Sequence, residues 1–180
     1  KPELAAERME RLAESGLITE SDLEYGALLL NDLPGVGAPV ALRPGERSGT
    51  SDVVLKLEDE GTFQFSADYN NFGAEVTGEH RLGFQAQANH LFDAGDRFTL
   101  RPIISDTGDT VFGSIGYDMP LFTPATRVGL RFSHLESQLG EEFEDLEVEN
   151  TSTSIIADAT HAFIRGRNLN ANGTFAYENR

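Results

Sequence analysis

From Gly61 to the last residue, apolar and polar positions alternate with a period of two, without any helical periodicity. Alternation of this kind is typical of β-strands that have one apolar face and one polar face. Turn residues divide the region into short runs. The pattern therefore predicts an all-β region of seven antiparallel strands, near residues 63–70, 81–89, 97–105, 111–118, 127–133, 152–163 and 169–177.

The first sixty residues show a helical pattern instead. A first helix is predicted at residues 1–16, and a second helix follows it, ended by Pro34 and Gly35. Ser21 and Glu24 have the spacing of a capping box at the start of this second helix. Three of its apolar positions share one face: Leu23, Ala27 and Leu30. Two strands are predicted next, at Ala38–Arg43 and Val53–Glu58, so that the order is α-α-β-β.

The alternating region has two interpretations, a membrane β-barrel or a soluble antiparallel sheet with one wet face. The chain has no apolar run of about 18 residues, so no transmembrane helix is predicted. The connections favour a barrel, because short turns (DAGD, LFTPAT, RGRN) alternate with long ones (NNFGAEVTG, ESQLGEEFEDLEVEN). DTGD is a short exception, and Pro102 implies a bulge or an early strand end.

Composition removes several classes of function. The 180 residues carry a formal net charge of −16, which disfavours nucleic acid as a partner. The absence of cysteine excludes disulfides and thiolate metal sites. No phosphate-binding loop precedes a helix and no catalytic constellation is present, so we expect no enzyme, no cofactor, no metal and no nucleotide. The histidines lie on different segments without ligand spacing: His80, His90, His134 and His161.

Several blocks of the sequence resemble the two-partner secretion transporters, outer-membrane pores of the haemolysin and adhesin secretion type. The blocks are ALLLNDLPGV, LRPGERSGTSDVVLKLE, ADYNNFGAEVTGEHRLGFQAQANHLFDAGD, GSIGYDMPLF and ATHAFIRGRNLNANGTFAYENR. They occur in the family's order, and LNDLPGV and PG…GTSD are the most specific. The triplet Ile164-Arg165-Gly166 looks like the family's VRG[YF] lid motif, but it lies at a short early turn and is treated as a decoy.

The resemblance implies a fold and a topology. Family members have periplasmic POTRA modules, each β-α-α-β-β, followed by a sixteen-stranded barrel. Residues 1–59 then correspond to an α+β POTRA module without its first strand. Residues 60–180 correspond to about seven of the sixteen antiparallel transmembrane barrel strands, which is an incomplete barrel. The membrane boundary would lie near Asp59–Gly61, with odd-numbered connections outside the cell and even-numbered ones in the periplasm.

The resemblance also implies a function. The whole protein would be a monomeric pore in the Gram-negative outer membrane, with its N-terminal module in the periplasm. It would export a large exoprotein that carries an N-terminal secretion domain, and outer-membrane lipid and lipopolysaccharide would surround it. Two alternatives stay open: an assembly factor of the same superfamily that inserts other barrels, and a soluble β-rich binding protein.

Two sets of site residues follow from this interpretation. A POTRA module binds extended clients along a strand edge beside an apolar groove. The candidate edge and groove are Ala38, Val40, Leu42, Arg43, Leu23, Ala27 and Leu30, whose alternative role is the core of the module. The candidate pore-lumen residues are Asp68, Arg81, Arg97, Arg101, Asp118, Arg127, Arg131 and Asp158, whose alternative role is a solvated sheet face. The acidic run Glu136–Glu149 is interpreted as a solvated loop rather than a bridge to lipopolysaccharide phosphates through cations.

Overall fold

The structure of the chain is a computed structural model, and it describes residues 20–37, 40–44, 51–55, 58–59, 61–92, 95–140 and 148–180. The helix predicted at residues 1–16 and the candidate edge residue Ala38 lie outside these ranges. Within them, no helix is long and apolar enough to cross a membrane.

The N-terminal part contains one described helix and four short strands. Helix α1 spans Glu20–Asn31. Strand β1 (Val36–Gly37) pairs with β4 (Glu58–Asp59), and β2 (Val40–Pro44) pairs with β3 (Ser51–Leu55), both antiparallel. The prediction of two strands was therefore too simple, because the chain forms two separate two-stranded ladders here.

The capping box predicted at the start of α1 is wrong. Ser21 lies inside the helix, which already includes Glu20, so Ser21 is not the N-cap residue. The Glu24 carboxylate accepts a hydrogen bond from the backbone N–H of Arg167 instead. The stop signal is confirmed, because the helix ends at Asn31 and Gly35 has a φ of 68°.

The rest of the chain forms one seven-stranded antiparallel sheet. Its spatial order is β11-β10-β9-β8-β7-β6-β5, so each strand pairs with its neighbours in sequence. The strands are β5 (Phe63–Asn70), β6 (Arg81–Asn89), β7 (Arg97–Ser105), β8 (Thr110–Leu121), β9 (Thr123–Gln138), β10 (Glu149–Arg165) and β11 (Asn170–Asn179). The seven predicted strands are confirmed, and β8, β9 and β10 are longer than predicted.

Two predictions about irregular positions are corrected. Strand β7 continues through Pro102 to Ser105, and Pro102 lies opposite Gly113 of β8. Pairing with β6 is interrupted only at Pro102 and Arg101 and resumes in the same register, because proline has no N–H to donate. The turn predicted at LFTPAT contracts to Phe122, whose φ of 62° reverses the chain between Leu121 and Thr123.

The connections lie at two ends of the sheet. One end, which we call the short-turn end, holds the links after β6, β8 and β10. The other end, the long-loop end, holds residues 71–80, the hairpin turn 106–109 and the connection that follows β9. Helix α1 contacts β9 and β10, which places the N-terminal part at the short-turn end.

Candidate functional site

The strand register places all eight candidate lumen residues on one face of the sheet. Directly opposite residues of neighbouring strands share a face, and Arg97 lies opposite Asp118. Asp118 lies opposite Gly129, and Gly129 lies opposite Asp158. The same register and the alternation along each strand bring in Asp68, Arg81, Arg101, Arg127 and Arg131. We call this surface the polar face.

A three-residue ion-pair cluster lies on the polar face near the short-turn end, close to the start of β7 and the end of β8. The Arg97 guanidinium donates two hydrogen bonds to the Asp118 carboxylate, at 3.0 and 2.8 Å. Arg127 Nη2 donates to the same carboxylate at 3.0 Å and to the Gly95 carbonyl at 3.0 Å. Bidentate arginine–carboxylate pairs fix geometry as well as charge. The cluster thus ties β7, β8 and β9 to the turn that precedes β7.

A cavity of about 310 Å³ opens beside this cluster on the polar face. Five candidate lumen residues line it: Arg97, Asp118, Arg127, Arg131 and Asp158. Arg131 and Asp158 are diagonal neighbours on β9 and β10. Since they form no ion pair within 4 Å with each other or with other described residues, their charges face the open space.

Glycines on neighbouring strands make room for two of these charged side chains, a feature that sequence reasoning missed. The Asp68 carboxylate lies 2.7 Å from where a Cβ of Gly83 would be. Asp158 lies over Gly129 in the same way, at 2.8 Å, whereas Arg131 is in ordinary van der Waals contact with the Cβ position of Gly116, at 3.8 Å. Because Gly83 has no side chain, Arg101 of β7 can reach across β6 to within 3.8 Å of Asp68 on β5. The charged side chains therefore lie along the sheet.

The opposite face is apolar and exposed. Phe65, Tyr69, Leu130 and Phe175 are exposed by 78%, 67%, 58% and 74% of their surface. Soluble proteins rarely expose a continuous apolar surface of this kind. This apolar face has no other element of the described chain packed on it.

Two histidine–threonine pairs lie on the apolar face in the ladder between β9 and β10, one at its short-turn end and one within it, four pairs before its long-loop end. His134 Nδ1 is 2.8 Å from Thr153 Oγ1, and His161 Nδ1 is 2.8 Å from Thr126 Oγ1. The outward residues of β9 and β10 between the pairs carry no charge and no polar group: Val128, Leu130, Phe132, Ile155, Ala157 and Ala159. The two pairs are eight residue positions apart on each strand, which corresponds to about 26 Å along the strand.

Helix α1 is fixed to the short-turn end by ion pairs and by one buried side chain. Arg165 donates two hydrogen bonds of 2.7 Å to Asp32, and these bonds raise the pKa of the Arg165 guanidinium. Glu24 accepts from Arg167. Leu33, which is 6% exposed, lies against Gly95 and Pro120. The decoy triplet therefore supplies Arg165 to this contact, and sequence reasoning had missed it.

The candidate client-binding residues lie in the N-terminal part. Leu23, Ala27 and Leu30 are in α1, and Ala27 is half-buried. Val40, Leu42 and Arg43 are in β2, and Arg43 is exposed. Among the described residues β2 pairs only with β3, so one backbone edge of β2 has no strand partner there. Elsewhere in the described ranges, no three His, Asp or Glu side chains come together as metal ligands.

An antiparallel meander with one charged face and one exposed apolar face has the pattern of a transmembrane β-barrel wall. Comparison with known proteins agrees with this class. The profile of the family described as haemolysin secretion/activation protein ShlB/FhaC/HecB matches residues 49–180. The chain belongs to this family of two-partner secretion transporters, which are secretion proteins and not enzymes.

Individual relatives are more distant. The heme/hemopexin transporter protein HuxB of Haemophilus influenzae strain 86-028NP is 29% identical over 167 residues, which cover 92% of this chain and 30% of HuxB. The outer membrane transporter CdiB of Dickeya dadantii is 29% identical over 98 residues, 52% of this chain and 18% of that protein. The chain thus spans about 30% of the length of HuxB and a smaller share of this CdiB.

Solved structures support the fold. CdiB from Escherichia coli superposes with a TM-score of 0.67 at 20% identity, over 91% of this chain and 31% of that one. CdiB from Acinetobacter baumannii gives a TM-score of 0.56 at 14% identity, over 91% and 33%. At these identities the likeness concerns the fold alone.

Proposed function

We propose that the whole protein is a pore in the Gram-negative outer membrane that exports one large exoprotein from the periplasm to the cell surface. The observation that carries the proposal is the division of the sheet into a charged face and an exposed apolar face. The charged face lines the lumen, and the apolar face contacts lipid. Membership of the secretion family supports export rather than passive diffusion as the task of the pore.

The polar face suits a polypeptide that must pass without adhering. It carries positively charged arginines and negatively charged aspartates, while Ile103, Phe112 and Leu135 form a short apolar row near the long-loop end. Two of its carboxylates, those of Asp68 and Asp158, lie against glycines of the neighbouring strand, so they project less into the lumen. No nucleotide-binding feature was found in the sequence, so folding of the client outside the cell supplies the energy in this proposal.

The histidine–threonine pairs support a position for the membrane. Strands in such barrels are tilted by about 40°, so the 26 Å between the pairs corresponds to about 20 Å along the membrane normal, close to the apolar band of about 25 Å. The pair His134–Thr153 then lies at the outer interface and His161–Thr126 at the periplasmic one. Strands β9 and β10 continue beyond the outer interface into water.

The N-terminal part acts in this proposal as a POTRA-type module. Its attachment at the short-turn end supports a periplasmic position, because short turns face the periplasm in these barrels. The backbone edge of β2 that has no strand partner among the described residues is the candidate site for a client strand, with main-chain hydrogen bonds supplying affinity. The relative HuxB is named as a heme/hemopexin transporter, so a haem-scavenging exoprotein joins haemolysins and adhesins as a candidate client.

The test is deletion of the whole gene, with quantification of the culture medium and the outer membrane by mass spectrometry. We expect one large protein to disappear from the medium while the other membrane barrels stay constant, and complementation to restore it. Depletion of many barrels from the outer membrane would indicate an assembly factor instead. An unchanged medium and membrane, with this protein extracted by buffer without detergent, would support the soluble alternative.

A further inference from the structure

The connection between β5 and β6, residues 71–80, is a compact segment that we call the strap. The Gly73 N–H donates to the Glu79 carbonyl at 3.0 Å, which closes the segment on itself. One turn of 3₁₀-helix, Glu75–Thr77, forms its tip. A side chain at Gly73 would overlap the Gly78 carbonyl, so the fold of the strap requires glycine there.

The strap lies on the polar face. Ser105 and Thr110 point to this face by register, since Arg81 lies opposite Ser105 and Thr110 lies opposite Ser137. Gly78 is packed on the side chain of Ser105, where a Cβ would clash. Thr110 Oγ1 donates to the Thr77 carbonyl at 2.9 Å. Ser105 and Thr110 are only 4% and 6% exposed, although most of the polar face is open.

The strap also reaches across the sheet to the end of β9. The Gly140 N–H, just beyond the end of β9, donates to the Val76 carbonyl at 2.8 Å. From β6 to β9 are three strand spacings, about 14 Å. The strap thus crosses the ends of β7 and β8 on the side where the polar face lies, at the long-loop end.

We propose that the strap narrows the exit of the export path and has to move aside when a polypeptide leaves. This inference rests on the proposed function, in which the polar face is the lumen. Within the described residues, two hydrogen bonds, from Thr110 and from Gly140, hold the tip to the sheet beyond β6, and the Asp106 N–H donates a third, to the His80 carbonyl at the base of the strap. A segment held by so few contacts opens locally without unfolding of the sheet. Thr110 and Gly78 are then positioning residues for this constriction.

The experiment measures single-channel conductance of the whole protein in planar lipid bilayers. Thr110→Val removes the hydrogen bond to Thr77, and Gly78→Val forces the strap away from Ser105. We expect both variants to raise the mean conductance by at least about twofold, because a constriction at one end limits ion flow through the entire pore. Thr99→Val is the matched control, since Thr99 lies on the same face of β7 and away from the strap.

The possible outcomes distinguish failure of the proposed constriction from failure of the proposed pore. If the wild-type protein conducts and both strap variants have the same conductance, the proposal that the strap narrows the exit is wrong. The proposal that the protein is a pore is then unaffected. The same holds if Thr99→Val changes conductance as much as the strap variants do. If the wild-type protein shows no conductance but the strap variants conduct, the proposal that the strap narrows the exit is supported. Silence of every protein, each with the circular dichroism of a folded sheet, would contradict the pore and the strap together.

Discussion

At the scale of single residues, glycine decides where charge lies on the polar face. Asp68 and Asp158 each occupy space that a side chain on the neighbouring strand would fill. Glycine usually weakens a strand, because it has no side chain to pack and loses more entropy on folding. Here two strands, β6 and β9, accept that cost at a position directly opposite an aspartate. Glycine and the aspartate opposite it act as one unit of the wall.

The pair of Gly83 and Asp68 provides a direct test of this idea. Gly83→Val places a branched side chain where the Asp68 carboxylate now lies, 2.7 Å from the Cβ position. We expect the free energy of unfolding of the whole protein to fall by about 1–3 kcal/mol, the usual range for overpacking. Equilibrium unfolding in detergent by urea measures it.

A second substitution and a control decide the cause. Asp68→Ala in the Gly83→Val background should recover most of the loss, since the displaced carboxylate is gone. Gly113→Val is the control, because a Cβ at Gly113 meets no atom within 4 Å. An equal loss in both glycine variants, without recovery by Asp68→Ala, would mean that backbone freedom and not the carboxylate sets the cost.

At the scale of elements, the sequence predicted the strands well where one face stays apolar. β5, β6 and β7 have their predicted bounds, because polar and apolar residues alternate along β5 and β6 and along most of β7, where Ile103 is an exception. β9 and β10 were predicted too short. Beyond Phe132 the outward residues of β9 are His134 and Glu136, so the polarity pattern ends, while backbone pairing with β8 and β10 continues. Hydrogen bonding, unlike side-chain polarity, leaves no trace in the sequence.

Contacts between distant elements could not be predicted. Asp32 and Arg165 are separated by 133 residues, and neither belongs to a periodic pattern that marks it. Leu33 sits in a turn after α1, where an isolated leucine gives no signal of burial. The sequence of the strap predicted only a long loop, because its fold depends on contacts with Ser105 and Thr110 of other strands. The common face of the candidate lumen residues was predictable, since strand periodicity alone assigns them to the polar side of each strand, whereas their role in a lumen stays a prediction.

The attachment of α1 to the short-turn end depends more on Leu33 than on its ion pairs. Leu33→Ala should destabilise this contact by about 2–3 kcal/mol, because the side chain is buried. Asp32→Ala should cost only about 0.5–1 kcal/mol, because both partners of its pair with Arg165 are partly exposed. We expect limited proteolysis between α1 and β5 to become faster in Leu33→Ala and to change little in Asp32→Ala.

Leu91→Ala serves as the control for this experiment, since Leu91 is near the same turns but 41% exposed. If Asp32→Ala accelerated cleavage as much as Leu33→Ala, the ion pair would be the principal attachment. If neither did, the N-terminal part would be held by residues other than these.

At the scale of the whole molecule, the two faces are expected to meet different solvents. The alternative is a soluble sheet with both faces in water. The interface between lipid and water is expected at the two histidine–threonine pairs, because each places a hydrogen-bonding ring at the edge of an uncharged band. Aromatic and amphipathic rings are enriched at such interfaces.

The chain contains no cysteine, so a single cysteine can report the solvent at each position. In the whole protein in vesicles, with any cysteines outside this chain replaced, we expect a fluorophore on Leu130→Cys to be quenched by spin-labelled acyl chains. A label on Arg131→Cys, the adjacent residue on the opposite face, should instead be quenched by iodide in the lumen. Labels on His134→Cys and Thr153→Cys should respond most to quenchers placed at the lipid headgroups. Iodide quenching at Leu130 and Arg131 alike, without acyl-chain quenching at either, would place both faces in water and contradict the barrel.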